Sequence, residues 1–125
     1  MNGYETERPR RRLGQHRLRV LTDIVAMSRR VKQMQLQLLD KDKDLGDQLG
    51  RALHSIGLNA SEGCMARGRK RASQLDIAMG SGREAIMALE LAAAFGFLDE
   101  EAVEREADDI DRIVATLYKV AQRKA

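Results

Sequence analysis

Two apolar helical repeats separated by a short basic break restrict the fold of this chain more than any other feature. From Leu45 to Ala60, apolar residues recur at steps of three and four, which places them on one side of a helix. Residues from Leu75 to Ala93 repeat at the same spacing. The break at residues 67–71, Arg-Gly-Arg-Lys-Arg, is too polar to bury and too short to let the helices separate. The pattern therefore predicts an antiparallel helical hairpin.

The rest of the chain extends this hairpin to a bundle. Aromatic residues make up only 3% of the chain, which contains one Pro and no Trp, so helices are favoured over strands. Asp44 is predicted to cap the second helix, Gly96 to end the third and Asp99 to begin the fourth. We expect an all-α, antiparallel up-down-up-down four-helix bundle in one domain, residues 13–125. Its helices should span about residues 14–38, 45–65, 71–95 and 99–123.

Charge is unevenly distributed along the chain. The 125 residues include 22 Lys or Arg and 19 Asp or Glu, for a formal charge of +3. Basic residues concentrate before the first helix and in the break, whereas acidic residues concentrate in the last helix. Such separation suits an anionic partner. The candidate contacts to the phosphates of a nucleic acid, with RNA favoured, are Arg8, Arg10, Arg11, Arg12, Arg67, Arg69, Lys70 and Arg71.

Two alternatives stay open for these clusters. Residues 1–12 are predicted to be a flexible basic arm that binds something anionic, or an ordinary terminus without a role. For residues 67–71, the alternative to a phosphate-binding cluster is a solvated turn. The chain has only two Tyr and two Phe, and neither Phe lies near a basic cluster. Recognition of shape and charge is therefore expected rather than base stacking.

Polar and small residues interrupt the apolar faces of the second and third helices. We expect a structural polar seam in which a partly buried Glu84 pairs with Arg51 or Asn59. Gly80 and Gly82 fall inside a helical repeat, where small residues would let another helix approach closely. The seam is predicted to comprise Arg51, Ser55, Asn59, Glu62, Ser81 and Glu84.

The third helix is apolar over more of its circumference than one bundle core requires. The surplus strip is predicted to consist of Ala85, Ala88, Leu91 and Phe95. Surplus apolar surface on a small domain indicates a partner subunit, so we expect a homo-oligomer with these residues in the subunit interface.

The sequence predicts no enzyme, cofactor or metal site. No nucleophile, base and orienting group recur at usable spacing. His16 and His54 lack the carboxylate partners of a di-iron bundle, and residues 40–51 lack the Gly and Glu of a calcium loop. Cys64 is the only cysteine and is expected in the core. No run is long and apolar enough for a signal peptide or a membrane span, so a cytoplasmic location without membrane contact is expected.

Four runs of residues in the second and third helices resemble a known family. They are residues 48–52 (Gln-Leu-Gly-Arg-Ala), 55–56 (Ser-Ile), 59–63 (Asn-Ala-Ser-Glu-Gly) and 78–84 (Ala-Met-Gly-Ser-Gly-Arg-Glu). In this order and spacing, they resemble four-helix-bundle proteins encoded within ribosomal-RNA intervening sequences. That family is related to the accessory variability determinant of diversity-generating retroelements. Residues 34–39 depart from its pattern, since the aromatic residues and the Phe-Pro usual in the first helix are not there.

The resemblance implies a non-enzymatic bundle with a basic surface that assembles into a ring, with five subunits as the favoured number. For the retroelement relatives, it implies binding of a reverse transcriptase and structured RNA. The leading hypothesis is therefore an oligomeric RNA-binding protein. The alternative is a protein-interaction scaffold, or accessory subunit, that docks a partner such as a reverse transcriptase.

Overall fold

Four helices make up the part of the chain that the structure describes, as the repeats predict. The computed structural model describes residues 15–123, with side chains from residue 19 onward, and no strand occurs within that range. The predicted arm at residues 1–12 lies outside the described residues. The helices are α1, Gln15–Lys41; α2, Lys43–Met65; α3, Gly68–Ala94; and α4, Glu100–Gln122. The all-α fold class is confirmed.

Each helix packs against its two neighbours in a closed order. α2 and α3 share the most extensive contact, α3 packs on α4 and α1 on α2, and a smaller α1–α4 contact closes the bundle. Short connections make successive helices antiparallel. The start of α1, the α2–α3 connection and the end of α4 therefore lie at one end of the bundle. The α1–α2 and α3–α4 connections lie at the other end.

The first two connections are shorter than predicted. Asp42 alone separates α1 from α2, and its side chain caps α2 by accepting a hydrogen bond from the Leu45 N–H at 3.0 Å. The prediction that Asp44 is the cap is wrong, because α1 continues to Lys41 and places Asp44 inside the first turn of α2. α3 begins at Gly68 rather than near residue 71, so most of the basic break is helical.

The connection between α3 and α4 follows the sequence prediction. Gly96 has φ of +80°, a conformation that side chains rarely adopt, and it ends α3. Asp99 caps α4, since its Oδ2 accepts a hydrogen bond from the Ala102 N–H at 2.9 Å. Glu100 and Glu101 follow in the first turn, where negative charge stabilises the helix dipole.

The core runs along the bundle axis and draws on all four helices. Cys64 is buried in it, and Leu98 covers one end from the α3–α4 connection. Within residues 15–123, no helix is both long and apolar enough to cross a membrane. The largest fully buried side chains include Met27, Leu38, Leu49, Ile56, Leu75, Leu89, Ile110 and Leu117.

One of the two glycines inside α3 permits a close helix approach. A Cβ atom at Gly82 would lie 2.7 Å from Cγ2 of Val114 on α4, so only glycine fits there without movement. A Cβ atom at Gly80 would meet nothing within 4 Å. The prediction of close packing therefore fails at Gly80, which faces open space.

Candidate nucleic-acid interface

The two ends of the bundle carry opposite charge. Exposed cationic side chains occupy the end where α1 starts and α4 finishes, and we call them the basic end: Arg19, Arg67, Arg69, Lys70, Lys119 and Arg123. Carboxylates dominate the opposite end, which we call the acidic end: Asp40, Asp42, Asp44, Asp47, Asp99, Glu100, Glu101 and Glu104. The up-down topology produces this polarity, because it brings segments that are distant in sequence to the same end.

Arg71 belongs to the basic end structurally but does not form part of its surface. Only 4% of the residue is exposed. Its Nε donates a hydrogen bond to the Ala66 carbonyl at 3.0 Å, and its Nη1 donates to the Arg123 carbonyl at 3.5 Å. Both carbonyls terminate helices, where a cation offsets the negative end of the dipole. The prediction that Arg71 contacts phosphates is therefore corrected, since its guanidinium joins the ends of α2 and α4.

The four predicted arm arginines precede α1 in the sequence. Arg8, Arg10, Arg11 and Arg12 lie outside the described residues. Gln15, the first described residue, is the start of α1 and so lies at the basic end.

Arg19, Lys119 and Arg123 were not predicted as contacts. The signal that could have identified them is their position at helix ends that the up-down topology groups together.

The polar seam is smaller than predicted. Ser81 Oγ on α3 donates a hydrogen bond to Ser55 Oγ on α2 at 2.6 Å. Asn59 Nδ2 donates to the carbonyl and the Oγ of Ser55, at 3.0 Å and 3.1 Å. These short side chains fit between two helices that approach closely. The seam therefore joins the middles of α2 and α3 without any charged group.

The charged members assigned to the seam lie outside it. Arg51, Glu62 and Glu84 are exposed. Glu84 has no ion pair with Arg51 or with any other described residue, and no hydrogen bond to Asn59. The prediction of a partly buried Glu84 that requires a partner is wrong, because the helix turns its carboxylate to solvent.

An ion-pair cluster between α1 and α4 was not predicted. Arg30 Nε donates to Glu106 Oε2 at 2.8 Å, and its Nη2 donates to Asp109 Oδ2 at 2.5 Å. The hydrogen bond that Arg30 donates to Glu106, together with the charges of both carboxylates, raises the pKa of the Arg30 guanidinium. Two carboxylates thus neutralise this cation, so we do not assign it to the phosphate-binding surface.

A second ion pair lies at the acidic end. Lys43 Nζ and Asp47 Oδ2 are 2.8 Å apart, one helical turn from each other. Their hydrogen bond raises the pKa of the Lys43 ammonium and lowers the pKa of the Asp47 carboxyl. Lys43 is therefore partly neutralised, and the carboxylates keep their excess at the acidic end.

The outward face of α3 carries an apolar stripe that differs from the predicted strip. Ala85 and Ala88 are 0% and 5% exposed and belong to the core, so they cannot form a subunit interface as predicted. Leu91 and Phe95 are exposed, and with Ile77 and Met87 they lie on one solvent-facing side. We call Ile77, Met87, Leu91 and Phe95 the α3 stripe.

The surface of the described residues includes two sizeable depressions. The larger, of about 790 Å³, lies between α1 and α2 and includes Val25, Arg29, Lys32, His54 and Leu58 in its lining. The smaller, of about 480 Å³, lies between α3 and α4 near the basic end. Among the described side chains, no group of three or more His, Cys, Asp or Glu could hold a metal ion.

Comparison with known proteins places the fold in a defined family. A crystal structure from Bacteroides thetaiotaomicron, described as a protein with unknown function from the S23 ribosomal protein family, is similar with a TM-score of 0.79. The match has 22% sequence identity and covers 87% of this chain and 100% of the other. No curated protein matches the sequence. Residues 16–119 match the model of the 23S rRNA-intervening sequence proteins, so the chain belongs to the 23S rRNA-intervening sequence protein family.

Proposed function

We propose that this protein is a non-enzymatic, homo-oligomeric RNA-binding protein that contacts RNA phosphates through its basic end. The single observation that carries the proposal is the excess of exposed cations over carboxylates at one end of the bundle, with the reverse excess at the other end. Arg19, Lys119 and Arg123 join Arg67, Arg69 and Lys70 at one end, although they come from three separate parts of the chain.

Such a surface favours a polyanion over a small anion. Each Lys or Arg that neutralises a phosphate releases condensed counterions, so affinity accumulates over several contacts and falls steeply with salt. Assembly of several bundles would multiply the basic ends that one RNA molecule can reach, which strengthens binding without a new contact. The name of the family refers to a 23S rRNA-intervening sequence, and RNA is therefore the nucleic acid we choose for the test.

The first prediction concerns salt. Binding of fluorescently labelled RNA, followed by anisotropy between about 50 and 200 mM salt, should weaken with a linear dependence of log K on log salt. Replacement of Arg69 and Lys70 by Gln should make that slope shallower, by about 0.7–0.9 for each phosphate contact that is lost. Both side chains are exposed, so the fold should not change.

Lys41→Gln is the matched control, because this exposed lysine lies at the acidic end. It should leave both the affinity and the salt slope at wild-type values. Absence of binding at low salt, or affinity that does not respond to salt, would contradict the proposal.

The α3 stripe supports a second candidate, an accessory subunit that docks a protein partner such as a reverse transcriptase. Exposed apolar residues along one helix face are typical of protein interfaces. The two candidates differ in what connects the partner to this chain. A partner recovered with the purified protein should persist after nuclease treatment if it docks on the stripe, and should be lost if RNA connects the two.

A further inference from the structure

An exposed tyrosine lies beside the basic end. Tyr118 on α4 is 57% exposed and directly precedes Lys119, with Arg123 five residues further along the chain. It borders the depression of about 480 Å³ between α3 and α4. The antiparallel packing of these helices brings the start of α3 to the same place. Its lining includes Asp76, Met79, Arg83, Tyr118, Ala121 and Gln122.

The depression combines an apolar base with polar edges. Met79 is buried and Ala121 half-buried, so they form its floor, while the Asp76 and Arg83 side chains are exposed. Asp76 and Arg83 are seven residues apart on α3. Neither has an ion-pair partner within 4 Å among the described residues. A carboxylate, a guanidinium and the Gln122 amide therefore offer both hydrogen-bond donors and acceptors around an aromatic ring.

We propose that this depression binds one unpaired nucleotide of RNA, with its base stacked on Tyr118. Bases that are not paired can turn outward, stack on aromatic side chains and form hydrogen bonds along their edges. Asp76 and Gln122 face such an edge, and the adjoining phosphates lie towards Lys119 and Arg123. The proposal rests on the proposed RNA-binding function and replaces recognition by shape and charge alone with recognition that includes a base.

The site also predicts which form of RNA is preferred. A duplex presents stacked and paired bases that cannot enter a depression between two helices, whereas a loop or single strand can supply one. Stacking depends little on base identity, because every base has a π face. We therefore expect a preference for single-stranded over double-stranded RNA of equal charge, without strong sequence specificity.

The test uses the small number of tyrosines in the chain. The sequence has two Tyr and no Trp, so in a Tyr4→Phe background Tyr118 is the only source of tyrosine fluorescence. Two RNA oligomers of equal length and phosphate number are compared, one with bases and one abasic. The oligomer with bases should quench Tyr118 fluorescence, and the abasic oligomer should not.

Two variants separate stacking from charge. Tyr118→Ala should weaken binding of the oligomer with bases roughly 5- to 150-fold, the range expected for loss of one stacked base. It should leave abasic binding unchanged, while Tyr118→Phe keeps the ring and should retain wild-type affinity. The ring is more than half exposed, so neither change removes a core contact.

The outcomes distinguish this proposal from the one on which it rests. If the wild-type protein binds both oligomers equally and Tyr118→Ala changes neither affinity, the nucleotide site is overturned while the phosphate interface stands. If the wild-type protein binds neither oligomer at low salt, the proposed RNA-binding function fails and the nucleotide site fails with it.

Discussion

Arg71 shows how neighbouring residues of one type acquire different roles. It is the last of four cations between residues 67 and 71, and the sequence alone suggested that all four face solvent. Once α3 begins at Gly68, Arg71 falls on the same face as Leu75, Ala78 and Gly82, at steps of four, three and four. Its burial was therefore implied by the helical spacing but hidden by the wrong helix start. The hydrogen bonds to two helix ends depend on tertiary packing and could not be predicted.

The role of Arg71 leads to a matched pair of substitutions. Arg71→Gln should lower the free energy of unfolding by about 1.5–3 kcal/mol, because the hydrogen bonds of a charged donor to the Ala66 and Arg123 carbonyls are lost. Arg69→Gln changes an exposed neighbour and should leave stability within about 0.5 kcal/mol of wild type while weakening RNA binding. Urea denaturation followed by circular dichroism, at one protein concentration, measures the first effect. Equal midpoints for Arg71→Gln and wild type would contradict it.

At the scale of the element, the type and number of helices could be predicted, but their ends could not. Repeats at steps of three and four define an amphipathic helix before any contact is known. The aspartates at positions 40, 42 and 44 all have suitable side chains for a cap. Asp42 is the cap because α1 continues to Lys41 and α2 begins at Lys43, so Asp42 is the one residue between the two helices. The cap is therefore decided by the length of the neighbouring helix.

The two interior glycines of α3 allow a test in which identical substitutions act in opposite directions. Gly80→Ala should stabilise the protein by about 0.5–1 kcal/mol, because alanine loses less backbone entropy in a helix and meets no atom there. Gly82→Ala should destabilise it by about 1 kcal/mol, since overpacking against Val114 exceeds that gain. Val114 is β-branched and has one strongly preferred rotamer in a helix, so rotation does not relieve the contact.

Thermal unfolding of the two glycine variants beside wild type provides the measurement. The midpoint should rise for Gly80→Ala and fall for Gly82→Ala. A rise in the midpoint for both variants would show that α3 and α4 can move apart without loss of stability. A fall for both would show that Gly80 lies against something not seen in the isolated bundle, such as a second subunit.

At the scale of the whole molecule, charge polarity follows from sequence and topology together. The basic break and the acidic last helix are visible in the sequence. Acidic residues occupy α4 only as far as Asp111, so its final turns, with Lys119 and Arg123, belong to the basic end. The net charge of α4 as a segment is negative. In the antiparallel bundle, however, its first turns lie at the acidic end and its last turns at the basic end. For the same reason, the position of Tyr118 beside basic residues was not predicted.

Self-association is the last property to test, and the α3 stripe is where it should occur. Leu91 is 37% and Phe95 is 55% exposed, so burial of the surface that remains would contribute roughly 0.5–1.5 kcal/mol each. Leu91→Glu places a charge in the middle of that surface and should break the assembly. Light scattering should give a multiple of 14.0 kDa for wild type and a mass near 14.0 kDa for the variant. Leu58→Glu, at an exposed apolar residue on α2, is the control and should keep the wild-type mass.

Assembly and RNA binding should then be linked in a particular way. A Leu91→Glu monomer keeps every cation of the basic end, so one bundle should make the same number of phosphate contacts as one subunit of the assembly. The monomer should nevertheless bind a long RNA more weakly than the wild-type assembly does, because several basic ends no longer contact the same RNA molecule. A short RNA that one bundle can cover should bind the monomer and the wild-type assembly with the same affinity per bundle. A wild-type protein with a mass of 14.0 kDa at micromolar concentration would refute the assembly and would leave the basic end to act alone.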